Sequence, residues 1–81
     1  MARNFAMVLQ KQRKLKGISQ EHLAEKADCD STMISLIERG IRNPTLNMGD
    51  SLAQGLGVPL SEMIKEAEDL RRKDRPVKKS P

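Results

Sequence analysis

The sequence predicts an all-α domain of five short helices, and three observations carry that reading. Apolar residues recur at three- and four-residue spacings, capping residues and glycines punctuate those stretches, and strand-like alternation is missing. The single aromatic residue is Phe5, with no Trp or Tyr, so the core must be aliphatic.

Helix 1 carries Phe5, Val8, Leu9 and Leu15 on one face, interrupted by Gln12. Asn4 is its candidate N-cap, and Lys14, Lys16 and Gly17 suit its C-terminal end. Ser19 caps helix 2, where Leu23, Ala24 and Ala27 face inward and Ala24 leaves room for a close neighbour. Asp28-Cys29-Asp30 then breaks the pattern, with Asp30 capping a third helix from Ser31 to about Arg39. Two short helices joined by so tight a break form a helix-turn-helix. Gly40 stops helix 3, and Thr45 caps helix 4, which turns Leu46, Leu52, Ala53 and Leu56 inward before Gly57. Helix 5 follows Val58 and Pro59 with Leu60, Met63, Ile64, Ala67 and Leu70 in the cleanest amphipathic stripe of the chain.

The 81 residues fit one domain, expected over 1–73, with 74–81 as a basic disordered tail around Pro76 and Pro81. A chain this short buries only about 60% of its extended surface, so self-association would add needed stability. The longest strictly apolar run, Phe5 to Leu9, is five residues. A membrane span needs about 20, so a cytoplasmic protein without a membrane partner is expected. One cysteine, Cys29, and one histidine, His22, exclude an internal disulfide and a zinc ligand set. No metal or cofactor is expected. An enzyme lacks its parts as well, since His22 beside Glu21 and Glu25 has no nucleophile or pocket to serve.

Net charge is +4 and unevenly placed. Arg3, Lys11, Arg13, Lys14 and Lys16 crowd the first sixteen residues without an acid; Arg71, Arg72, Lys73, Arg75, Lys78 and Lys79 oppose only Asp74 at the end. Basic patches suit a polyanion, because phosphate neutralisation releases counterions, but Lys-rich ends also serve solubility.

The face of helix 3 is more informative. With Ser31 at zero and steps of about 100° per residue, Met33, Ile34 and Ile37 cluster near 250° and point inward. Ser31, Ser35, Arg39, Thr32 and Leu36 then line the opposite side. That outer face is free of acids and low in profile, fit to enter a major groove about 12 Å wide.

These residues resemble the phage-repressor and Cro type of helix-turn-helix, the xenobiotic-response-element family, over roughly residues 5–64. The carriers are Arg13, Ser19-Gln20-Glu21 with Leu23-Ala24, Ile34-Ser35 with Ile37-Glu38-Arg39-Gly40, Pro44, and Leu52-Ala53 with Leu56-Gly57-Val58. Length and helix count extend the likeness to small stand-alone regulators, restriction-modification controller proteins among them. The resemblance implies a compact lambda-repressor-like domain that binds double-stranded DNA as a transcription regulator, needing no small-molecule effector. It implies that Gln20 grips a backbone phosphate and that Ser31, Thr32, Ser35 and Leu36 read base edges, the set that helical geometry selects independently. Arg39, Arg42 and Asn43 become candidates for backbone contacts, and Arg13 is expected to clamp Glu38.

One helix reads few base pairs, so a homodimer on a palindromic or near-palindromic operator is expected, with reading helices about 34 Å apart. Autoregulation by concentration follows. The candidate dimer surface is Leu56, Val58, Leu60, Met63, Ile64, Ala67 and Leu70; the same stripe would equally cap the chain's own core. An antitoxin that binds DNA and a toxin, or a protein-docking adaptor, is the rival class.

Departures from the family pattern are Asp28 at a turn-glycine position, Cys29 as a packed turn residue, and Gly49 and Gly55 inside helix 4. Gly49 leaves a gap for Met48 or Met63 to fill, and Gly55 would permit close approach across a dimer.

Overall fold

A computed structural model describes residues 2–74, with side chains over 4–71. It holds five helices: α1 (Ala2–Leu15), α2 (Gln20–Ala27), α3 (Ser31–Glu38), α4 (Leu46–Leu56) and α5 (Leu60–Asp74). α1 packs against α5 and α3, α2 against α4 and α3, and α4 against α5. Leu9, Leu23, Ile34, Ile37, Leu52 and Met63 meet in the middle with no exposed surface. Each such aliphatic side chain stabilises the fold by about 1.5–3 kcal/mol.

Local chemistry sets the helix ends. Ser19 Oγ accepts from His22 N at 3.0 Å, Asp30 Oδ1 from Thr32 N at 3.0 Å, and Thr45 Oγ1 from Met48 N at 3.1 Å. Each satisfies an amide that the first helical turn leaves unpaired. α2 stops at Asp28, whose left-handed backbone (φ 56) turns Cys29 N onto Ala24 O at 2.9 Å. Asp bears that conformation at modest cost and brings α3 in at once.

Five expectations need correction, the first being Leu46, which opens α4 with 76% of its surface exposed instead of facing inward with Leu52, Ala53 and Leu56. α1 begins at Ala2, so Asn4 lies inside its first turn, buried, and is not its cap. Leu15 is 70% exposed, because α1 has run past the core by its last residue. Asp74, assigned to the tail, closes α5; the remainder of the tail lies outside the described residues. Of the candidate dimer set, Leu56, Met63 and Ala67 are buried in this chain's own core and unavailable to a partner. Val58, Leu60, Ile64 and Leu70 are half-buried and keep an outward edge.

The two glycines of α4 also have different roles from those expected. A Cβ at Gly55 would stand 3.1 Å from Leu23 Cδ1 and 3.2 Å from Lys26 Cβ, so the close approach is that of α2 within one chain. A Cβ at Gly49 would meet Leu60 Cδ1 at an ordinary 3.5 Å, so Leu60, not Met48 or Met63, lies over the gap.

A polar clasp joins the outer helices. Glu66 of α5 accepts from Lys11 Nζ at 2.6 Å and from Gln12 Nε2 at 3.0 Å, which explains the polar break in the α1 stripe. The Lys11 bond holds the Glu66 carboxyl below its ordinary pKa against the opposing effect of burial, and Gln12 assists.

Gly49→Ala should stabilise the domain by about 0.5–1 kcal/mol through helix propensity, whereas Gly55→Ala should destabilise it, since Leu23 is locked in the core. Urea unfolding reads both. Because Glu66 is held below its ordinary value when folded, its contribution is present at neutral pH and fades as pH falls through and below about 4. Glu66→Gln should cost under about 1 kcal/mol at pH 7, and the deficit should shrink as pH falls below the ordinary carboxylate range.

Candidate nucleic-acid interface

The end of α3 is held from behind by a buried charge. Glu38, the last residue of α3, has a side chain only 2% exposed, against 12% for its partner Arg13. Arg13 donates from Nε to Glu38 Oε2 at 2.7 Å and from Nη2 to Oε1 at 3.1 Å, a two-bond fork. Its Nη1 donates to Ile18 O at 2.9 Å, fastening the turn between α1 and α2. Gln20 Nε2 donates to Glu38 Oε1 at 3.0 Å. The Glu38 hydrogen bond raises the Arg13 pKa further, outweighing burial, so the guanidinium stays charged. One carboxylate thereby ties together α1, the first residue of α2 and the end of α3.

Gln20 was expected to turn its amide toward a phosphate. One N–H is engaged by Glu38, which orients the group and leaves the second N–H to donate elsewhere. Sequence reasoning missed this bond, because nothing in the spacing of residues 20 and 38 announces it.

On the outer side of α3, Thr32 is exposed, while Ser31, Ser35 and Leu36 are half-buried. Arg39, Arg42 and Asn43 are exposed and follow directly in chain order. Arg39 ends the helix with right-handed geometry, and Gly40 (φ 74) then reverses the chain. Ile41 N and Arg42 N both donate to Leu36 O, at 3.0 and 3.3 Å, drawing the loop back against the helix end. Asp30, beside the outer face of α3, already accepts from Thr32 N as a cap. The face therefore pairs small hydroxyl groups with a cationic trailing edge. Ile41, 62% exposed beside these cations, is an apolar surface residue that periodicity did not single out.

Cys29 is half-buried and packs against the core. Burial pushes its thiol pKa up, and Asp30 and Asp28 add to the effect, so the thiol stays protonated and unreactive. Among the described residues no group of His, Cys, Asp and Glu is placed to hold a metal ion, and no helix is long and apolar enough to cross a membrane.

A short α2, a three-residue turn and an α3 with an acid-free outer face define a helix-turn-helix module. The helix-turn-helix family matches over residues 9–63. The control protein C.MunI of a Mycoplasma species is 42% identical over 65 residues, covering 79% of this chain and 88% of that protein. The wild-type restriction-modification controller protein C.Esp1396I has a similar structure, with a TM-score of 0.81 at 33% identity, covering 89% of this chain and 94% of that one. The controller protein C.AhdI from Aeromonas hydrophila gives 0.75 at 34% identity, over 76% and 94% of the respective chains. The chain belongs to the helix-turn-helix family of DNA-binding transcription regulators.

Removing Arg13 would leave the Glu38 carboxylate buried without its counter-ion. Arg13→Met should cost about 3–5 kcal/mol. In a double-mutant cycle with Glu38→Gln, read by urea unfolding, the coupling should exceed about 0.5 kcal/mol, and a value near zero would dissolve the clamp.

Proposed function

We propose that this chain is a homodimeric regulator of a restriction-modification gene set, its own gene included, and that it binds a palindromic or near-palindromic operator with α3 in the major groove. The observation that carries the reading is the outer face of α3. Its hydroxyl and Leu36 side chains meet base edges, where Leu36 contacts a thymine methyl and Ser31, Thr32 and Ser35 take hydrogen-bond partners. Gln20, preset by Glu38, donates its free N–H to a phosphate, and Arg39, Arg42 and Asn43 grip the neighbouring backbone. The regulated gene class rests on likeness to C.MunI, C.Esp1396I and C.AhdI, named as control or controller proteins.

A homodimer follows from the size of the reading surface. One α3 spans few base pairs, and two related by a two-fold axis read half-sites about 34 Å apart. Hydroxyl groups discriminate weakly, so the second copy supplies much of the specificity. The partner surface draws on the half-buried residues Val58, Leu60, Ile64 and Leu70. Dimerisation makes occupancy rise steeply with protein concentration, which suits control of its own expression.

A gel shift on the DNA directly upstream of the protein's own gene tests this function. The parent should shift that fragment in excess competitor DNA, and Thr32→Glu with Ser35→Glu should abolish the specific shift. Arg42→Ala should instead weaken binding to all sequences alike and lower the salt slope by about 1. A specific shift that survives both glutamates would remove α3 from the reading role.

A further inference from the structure

The end of α1 carries a cation that neither the core nor an ion pair uses. Lys16 falls about 20° around the helix from Phe5, on the inward side, whereas Lys14 falls about 180° from it. Lys16 N still donates to Gln12 O at 3.1 Å, so the residue keeps the helical register. It is exposed because α1, as at Leu15, has by then run past the core. Among the described residues the ion pairs are Lys11 with Glu66 and Arg13 with Glu38, and Lys16 belongs to neither.

The turn that follows is pinned twice to Arg13. Ile18 N donates to Arg13 O at 3.3 Å, and Arg13 Nη1 donates to Ile18 O at 2.9 Å. Gly17, with φ 70, donates from its N to Lys14 O at 3.0 Å, which completes a Schellman stop. Gln20 stands four residues on, no more than about 14 Å of chain from Lys16 and less where the chain reverses. The Glu38 carboxylate that holds Gln20 also holds Arg13, so Lys16 and Gln20 are carried on one frame.

We propose that Lys16 grips a phosphate on the DNA strand that Gln20 contacts, carrying the interface from the helix-turn-helix onto α1. The inference rests on the reading of α3 as the groove-entering helix. Phosphates of one strand advance by about 3.4 Å along the duplex axis, so a cation within about 14 Å of Gln20 meets one close by. A lysine suits this role, since its ammonium on a flexible stem follows a phosphate as a point charge and reads no base. Glu21, an exposed acid whose charge acts on Arg13, opposes a phosphate there, and Lys16 offsets it. A place at the end of α1 also suits the helix dipole, but that benefit falls to Lys14 as well.

Gel shifts of the full chain over a salt series, on the upstream fragment and on an unrelated duplex, test the contact. Lys16→Gln should lower the salt slope by about 1 for each chain bound, on both DNAs. Lys14→Gln removes an equal charge two residues away and should leave the slope near that of the parent, and Lys16→Arg should preserve it. Circular dichroism and urea unfolding verify that each variant is folded. Equal losses in Lys14→Gln and Lys16→Gln, or no loss in either, would overturn the contact while a specific shift by the parent keeps α3 in its reading role. A parent that binds the upstream fragment no better than the unrelated duplex would overturn the operator reading, with the Lys16 contact still decided by the slopes. A parent that shifts neither DNA would overturn both.

Discussion

The Glu38 carboxylate, buried at the end of α3, is the constraint on which the arrangement of this domain depends. A charge with so little solvent contact must have partners on both oxygens, and Arg13 and Gln20 supply them. Those partners come from α1 and the start of α2. Satisfying one carboxylate therefore fixes the position of α3 against two other elements. Replacing the fork by a single ammonium would keep the charge while losing the planar geometry.

That constraint bears directly on the proposed recognition by α3. α3 is only eight residues long, too short to hold its orientation by helix propensity. Ile34 and Ile37 anchor its inner side in the core, and the Glu38 cluster fixes its C-terminal end. Small hydroxyl groups on the outside carry little specificity unless they are well placed, so rigidity behind the helix matters more than reach in front. Gln20, the first residue of α2, is bonded to the same carboxylate and is the proposed phosphate donor.

The local features of the fold were legible in the sequence. Ser19, Asp30 and Thr45 cap helices because a hydroxyl or carboxylate there meets free amides a few residues on, a relation contained in the local chain. The inward set of α3 follows from the same short-range geometry, whereas the left-handed turn at Asp28 was legible only through the family's turn-glycine position. Features that depend on a distant neighbour were less readable. The α5 stripe could face a partner or the core, and packing against α1 and α4 consigns Met63 and Ala67 to the core. Gly55 makes room for Leu23 and Lys26 of α2, far away along the chain. Gln12 broke an apolar stripe, and its reason, Glu66, lies on another helix. At the site, helical angles selected the outer residues of α3, and family resemblance supplied the pairing of Arg13 with Glu38. The bond from Gln20 to Glu38 came from the folded structure alone.

The most direct measurement is the ratio of operator affinity to non-specific DNA affinity in Arg13→Lys, at one fixed salt concentration and with folding verified. If the guanidinium fork aligns the reading helix, the ratio should fall by about ten-fold or more while non-specific binding, which needs only positive charge, stays near that of the parent. An unchanged ratio in a folded variant would contradict the control of base reading by the buried Glu38 cluster.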